Sequence, residues 1–395
     1  MKTIILYTLL AGVASFDTPW NTYMPYDQKF VDTGFTQDRL IAVWSSYSQD
    51  GDSGGVMIRG IAYDGNEVLR ENQVNVDFKG NQTEPGLAVS PNGNLLVAWR
   101  GPTADSDSED ILARLFKSNG TALTDDLWVA QNALDGQSYP RVASGPNDLF
   151  VITWESESLP DRSKKGIACR LYDANALAFG DEIVVSDRSY TGRYADVAMA
   201  PQGDFVVVWL EDRTTDAVFA RLFDRSGQPK GDSFQVNTLT FKSLTWPRVD
   251  MSATGGFVVT WDGDPNRSSD DDIHARCFDP NGQALGPEFV VNTHRDGAQQ
   301  DPCIAVNAQG AFVIAWTSDS ADTGEDIRAQ YLDPNGLLLE PEFQVNQSLS
   351  LDQQRPCVTL TDQGLCVISW EGPNEDGTNT DVYYSLGTHP LYREE

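Results

Sequence analysis

The sequence predicts an all-β chain, a seven-bladed β-propeller of four-stranded antiparallel blades whose ring is closed by the N-terminal strand. Three observations carry this expectation. Seven tryptophans recur at a nearly constant spacing, each unit around them reads as four short strands, and the last unit lacks its fourth. The tryptophans Trp44, Trp99, Trp154, Trp209, Trp261, Trp316 and Trp370 each end an apolar run, with successive gaps of 55, 55, 55, 52, 55 and 54 residues. A fixed period of that length marks stacked units, none of which can bury its own faces alone.

Within a unit the first strand carries Pro-x-Val-type patterns, as at Pro140, Pro247 and Pro302. A polar turn with glycine follows, such as Pro91-Asn92-Gly93. The run into tryptophan comes next; it is continuously apolar and rich in β-branched residues, which suits a strand buried on both faces. The third strand reads Asp272-Ile273-His274-Ala275-Arg276-Cys277-Phe278, and a turn such as Asp279-Pro280-Asn281-Gly282 reverses the chain. The fourth is Glu288-Phe289-Val290-Val291-Asn292, echoed at Glu342 to Asn346 and Ser233 to Asn237. Four such strands repeated seven times give propeller arithmetic.

Unit seven ends after its third strand, Asp381 to Leu386. Counting back from Phe30, the missing strand is expected at Phe16 to Thr18, where Ser15-Phe16 echoes Ser233-Phe234. Domain organisation follows: residues 1–15 read as a signal peptide, with Lys2, an apolar stretch from Ile4 to Leu10 and small residues to Ser15, and residues 16–395 form one propeller domain.

The segments Ala275-Arg276-Cys277-Phe278-Asp279, Glu288-Phe289-Val290-Val291-Asn292 and Phe257-Val258-Val259-Thr260-Trp261 resemble tandem repeats of large secreted bacterial propeller proteins, over essentially residues 16–395. That resemblance implies a secreted or cell-surface binding module and is nearly silent about activity.

The net charge is −30, from 58 acidic and 28 basic residues. Such a field repels nucleic acid and anionic lipid. No stretch approaches the ~18 apolar residues of a membrane span. The five cysteines show no Cys-x-x-Cys spacing and read as small core residues. Arg114, Arg170, Arg221 and Arg276, with Gln330 in unit six, share one position and read as a structural ladder.

Two clusters stand as candidate sites. Acidic loops after the tryptophans hold Asp105, Asp107, Asp262, Asp264, Asp319 and Asp322, oxygen ligands of the kind Ca²⁺ takes. Tyr47, Tyr139, Tyr190 and Trp246 lie at loop ends and suit stacking on sugar rings. No nucleophile elbow, phosphate loop or zinc-helix motif is present. The expected function is a non-enzymatic extracellular binding or adhesion module for a carbohydrate or protein partner. The alternatives are a carbohydrate-active hydrolase or lyase on the same scaffold, or a structural subunit of a surface layer or filament. A deep axial pocket with converging acids would mark the enzyme, and shallow sites around the rim would mark the binder.

Overall fold

The computed structural model describes residues 17–392 apart from residues 64, 78, 103–107, 132–134, 160–164, 187–189, 242, 266–269, 321–323, 349–350 and 375. It is a seven-bladed β-propeller of seven four-stranded antiparallel sheets. The innermost strands of blades 1 to 7 are Gln28–Phe35, Thr83–Val89, Gln137–Ser144, Thr191–Met199, Leu244–Met251, Gln299–Val306 and Gln354–Leu360. They touch one another in a closed cycle around the axis.

The second strands explain why the repeat needs apolar residues on both faces. In blade 4, Phe205–Asp212, the alternate residues Phe205, Val207 and Trp209 pack toward blade 3, whereas Val206 and Val208 pack toward blade 5. Seven such clusters fill the seven spaces between blades, so the core is a ring and not a single centre. All seven repeat tryptophans are fully buried. A buried indole N–H needs an acceptor. In four blades a glutamine at the entrance of the first strand provides it, with Trp154 Nε1 donating to Gln137 Oε1 at 3.0 Å and Trp316 to Gln299 at 2.8 Å.

The fourth-strand motif works through its ends. Asn292 Oδ1 accepts the Ile273 N–H at 2.8 Å and buries Val291 beside it, and Asn75, Asn237 and Asn346 repeat the bond. Glu288 accepts the N–H groups of Thr238 and Leu239, at the exit from the preceding blade. The arginine ladder is structural, as expected. Arg276 donates to Val236 O at 2.6 Å and Gly286 O at 3.1 Å, tying a blade to its neighbour, and Arg114, Arg170 and Arg221 do the same.

The N-terminus supplies the outer strand of blade 7, with Thr18 opposite Tyr384 and Pro19 opposite Tyr383. The register differs from expectation by two residues. Asp17 accepts the N–H groups of Gln347 and Ser348 as Glu288 does, Trp20 fills the buried valine position, and Asn21 Oδ1 accepts the Val382 N–H. Thus Asp17-Thr18-Pro19-Trp20-Asn21 stands for Glu-Phe-x-Val-Asn. Phe16 and the leader expected at 1–15 lie outside the described residues. Among the described residues no helix is long and apolar enough to cross a membrane.

Candidate active site on the propeller axis

Each innermost strand carries a bulge where its register against the second strand shifts. At each bulge stands a non-glycine residue in the left-handed region: Phe30, Glu84, Tyr139, Tyr194, Trp246, Asp301 and Arg355, with φ from 44° to 58°. Bulky residues rarely accept that conformation, which costs on the order of 1–3 kcal/mol and gathers at functional sites. Here it occurs once per blade, at the mouth of the axis.

Bulges turn side chains toward the channel, and the seven are not alike. On one side Tyr139, Tyr194 and Trp246 form an aromatic wall, with ring centroids 4.3 Å apart for Tyr194 and Trp246 and 5.8 Å for Tyr139 and Trp246. On the other stand Asp301, Arg355, Phe30 and Glu84. Two residues further along each strand comes a second tier, which includes Asp32, Arg141, Asp196, Arg248, Cys303 and Cys357. All of these but Tyr194, which packs behind Trp246, line an axial cavity of about 310 Å³. A surface cleft of about 450 Å³ shares Arg355 and Glu371 with it and runs out past Leu351 and Thr378.

The carboxylates in this cavity are held under tension between burial and hydrogen bonding. Glu371, the residue after Trp370, is 3% exposed; burial raises its pKa, opposed by Arg355 at 3.5 Å and by the Phe30 N–H at 2.8 Å. Burial also raises Asp301, opposed by Arg355 and Arg248. The nearby Asp301 charge adds to the rise on Glu371. Deeper in the channel Asp250 is pushed up to about 7 by burial, although it accepts the Val306 and Met251 N–H groups. A shift of the size at Asp250 keeps part of a carboxyl population protonated near neutral pH.

Of the aromatic residues named from sequence, the structure brings Tyr139 and Trp246 together. Tyr47 and Tyr190 lie elsewhere: Tyr47 ends the second strand of blade 1, and Tyr190 lies under the Arg213 guanidinium, 4.0 Å away. Tyr194, Asp301, Arg355 and Glu371 went unrecognised as a group. The available signal was the repeated proline. Glu84, Tyr139, Trp246, Asp301 and Arg355 each precede one, and these five residues differ in every blade.

Of the acids named as calcium ligands, Asp105, Asp107 and Asp322 lie outside the described residues. Asp262 sits at the end of a strand, buried, with Oδ2 accepting the Thr245 hydroxyl at 2.6 Å; burial raises its pKa well above the usual range. Asp264 is buried and Asp319 exposed. Among the described residues no group of three or more His, Cys, Asp or Glu side chains is placed to hold a metal. The cysteines divide: Cys169, Cys277 and Cys366 are core residues, but Cys303 and Cys357 face the channel from adjacent blades. The cause is their place on the inner tier, where alternate residues point to the axis. Cys303 Sγ accepts the Val358 N–H at 3.3 Å, and the Cys357 thiol donates to Asp32 at 3.2 Å.

No family model and no curated protein matches the chain. Solved structures do. An ulvan lyase of a new polysaccharide lyase family superposes with a TM-score of 0.57 at 7% identity, covering 95% of each chain. The polysaccharide lyase Uly1 gives 0.54 at 9% identity, over 97% of this chain and 94% of that one. The α-L-arabinofuranosidase of Fusarium graminearum complexed with arabinobiose gives 0.53 at 12% identity, over 95% and 96%. At such identities the likeness is one of fold.

Proposed function

We propose that this chain is a carbohydrate-active enzyme, a hydrolase or lyase, working in the axial cavity. The observation that carries the reading is the convergence of Asp301 and Glu371 about Arg355, facing the aromatic wall of Tyr139, Tyr194 and Trp246. A deep axial pocket with paired acids is what separates an enzyme from a rim-binding module, so the order of the two readings reverses. That propellers of similar fold are described as lyases and an arabinofuranosidase supports it.

Both reactions need one group to give a proton to the leaving oxygen and another to take one from water or from a sugar carbon. Burial raises both Asp301 and Glu371 while Arg355 opposes the rise at each, so the pair supplies the proton donor and the proton acceptor between them. The aromatic wall presents flat apolar faces to the sugar. The cleft beside Arg355 and Glu371 gives a longer glycan a way out. A secreted location belongs to the same proposal, since a polymeric glycan is met outside the cell.

The test is a glycan panel scored for new reducing ends and for new unsaturated products. Asp301→Asn and Glu371→Gln should each lower turnover by about 10²-fold or more with melting temperatures kept. Turnover that survives both substitutions would remove the assignment. Stoichiometric binding with intact glycan recovered would restore the adhesion module. Running the panel in calcium and in EDTA tests a cation at the acidic loops.

A further inference from the structure

Arg141 and Arg248 project from the second tier of blades 3 and 5, beneath Tyr139 and Trp246. A guanidinium offers about five N–H donors, so the pair brings about ten to the channel. Among the described residues one hydrogen bond draws on them, Arg141 Nη1 to Pro140 O at 3.0 Å. Arg248 makes its contact through its plane, 5.8 Å over the Trp246 ring. Among the described residues neither has a carboxylate within 4.0 Å, unlike Arg355, which is committed to Glu371.

The neighbouring acids are engaged elsewhere. Asp196, which faces both arginines, accepts the Val249 N–H; Asp32 accepts those of Leu87 and Thr33; Glu84 takes Arg100 and the Tyr139 N–H. Burial and the nearby Arg248 charge make the Arg141 cation less favourable, opposed by the charges of Asp196, Asp32 and Glu84. Asp32, Glu84, Asp196 and Asp301 thus balance the two charges from a distance, but among the described residues no carboxylate hydrogen-bonds either guanidinium, and both forks lie in the cavity next to a platform suited to a sugar ring. Sugar hydroxyls can satisfy carboxylates, but only an anionic group matches forked cations in both charge and geometry.

We propose that the axial pocket seats an acidic sugar residue, its carboxylate or sulfate group held between Arg141 and Arg248 while its ring lies against Trp246. This rests on the carbohydrate reading above and adds the substrate class. The net charge of −30 repels an anion at range, so a preference for acidic glycans can arise only inside the pocket.

Titration calorimetry on full-length Asp301→Asn protein, which should bind without turnover, would compare three probes: uronic-acid oligosaccharides, sulfated neutral-sugar oligosaccharides and unsubstituted ones. At least one acidic probe should bind about tenfold or more tighter than the unsubstituted probe, and which one does so distinguishes carboxylate from sulfate. Adding Arg248→Gln or Arg141→Gln should erase that preference and leave unsubstituted glycan within about twofold. Should the glutamine variants fail to fold, Arg248→Lys keeps the charge without the fork; an unchanged acidic preference would then overturn the proposal. Glycan binding that needs Trp246 but ignores both arginines would sink the acidic class and leave the carbohydrate reading standing. No binding by any probe would sink both.

Discussion

The outer strands and the innermost strand use one repeat to opposite ends. On the third strand Arg114, Arg170, Arg221 and Arg276 reach the same kind of backbone carbonyl in four blades. At the inner bulge the seven blades place Phe30, Glu84, Tyr139, Tyr194, Trp246, Asp301 and Arg355, and only two are the same. Both sets hold fixed backbone positions. The difference lies in what each residue meets. An outer residue meets a carbonyl that every blade supplies, so one solution serves them all. An inner residue meets the other inner residues across the axis, and seven copies of one side chain there would be a ring of like charges or of colliding rings. Symmetry holds the scaffold, and its loss at the axis makes the site.

The largest test of that division uses two tryptophans. Trp154 is fully buried and hydrogen-bonded to Gln137, so Trp154→Ala should cost about 3–5 kcal/mol. Trp246 is half-buried at the strained mouth, and Trp246→Ala should cost less than half of that while weakening glycan binding. Denaturant titration and calorimetry of the two variants check the pair. Equal stability losses would erase the distinction between scaffold and site.

A second test uses pH. The Asp250 pKa is about 7 in the folded protein against about 3.8 unfolded. Between those values the unfolded chain has released the proton and the folded chain still holds it, so rising pH favours unfolding; above 7 the loss is complete. Asp250→Asn should therefore flatten the stability curve between pH 4 and 7 by about 3 kcal/mol. The repulsion due to the chain's other acids is common to both proteins and cancels. An unchanged slope, by denaturant melts at each pH, would show the channel floor to be fully solvated.

Smaller still is the ladder. Arg276→Ala removes two bonds to carbonyls and the guanidinium that lies over the Phe278 ring, at a cost of about 1–1.5 kcal/mol. Arg170→Ala and Arg221→Ala should match it, and none should alter glycan binding. A binding loss in one blade alone would mean the ladder also serves a site.

These contrasts also mark what the sequence could reveal. Strand order, the buried tryptophans and the arginine ladder are readable because each repeats. Ring closure was readable too, but its register slipped by two residues. Asp17-Thr18-Pro19-Trp20-Asn21 shares little with Glu288-Phe289-Val290-Val291-Asn292 beyond an acid and the final asparagine, and a shift of two leaves the alternation of faces unchanged. The axial site was hidden for the opposite reason. Its members lie at one repeat position but have nothing chemical in common, so a search for likeness passes over them. Tyr139 and Trp246 stand out as aromatics, whereas Asp301 and Glu371 are two among 58 acids.

The smallest effect probes the bulge itself, and its value lies in its sign. In an ordinary strand alanine is more stable than glycine by roughly 0.5–1 kcal/mol, because glycine surrenders more chain entropy on folding. Asp301 has φ 52°, where any Cβ crowds the following carbonyl at a cost of about 1–2 kcal/mol that glycine escapes. Asp301→Gly should therefore be more stable than Asp301→Ala, by up to about 1 kcal/mol. Both lack the carboxyl, so both should lose turnover, and the difference between them isolates the backbone. The same pair at Thr260, mid-strand in blade 5, should show the ordinary order. If alanine proves the more stable at Asp301 as well, the bulge does not hold its residue in the left-handed region. The ring of seven strained positions would then lose its claim to mark the site.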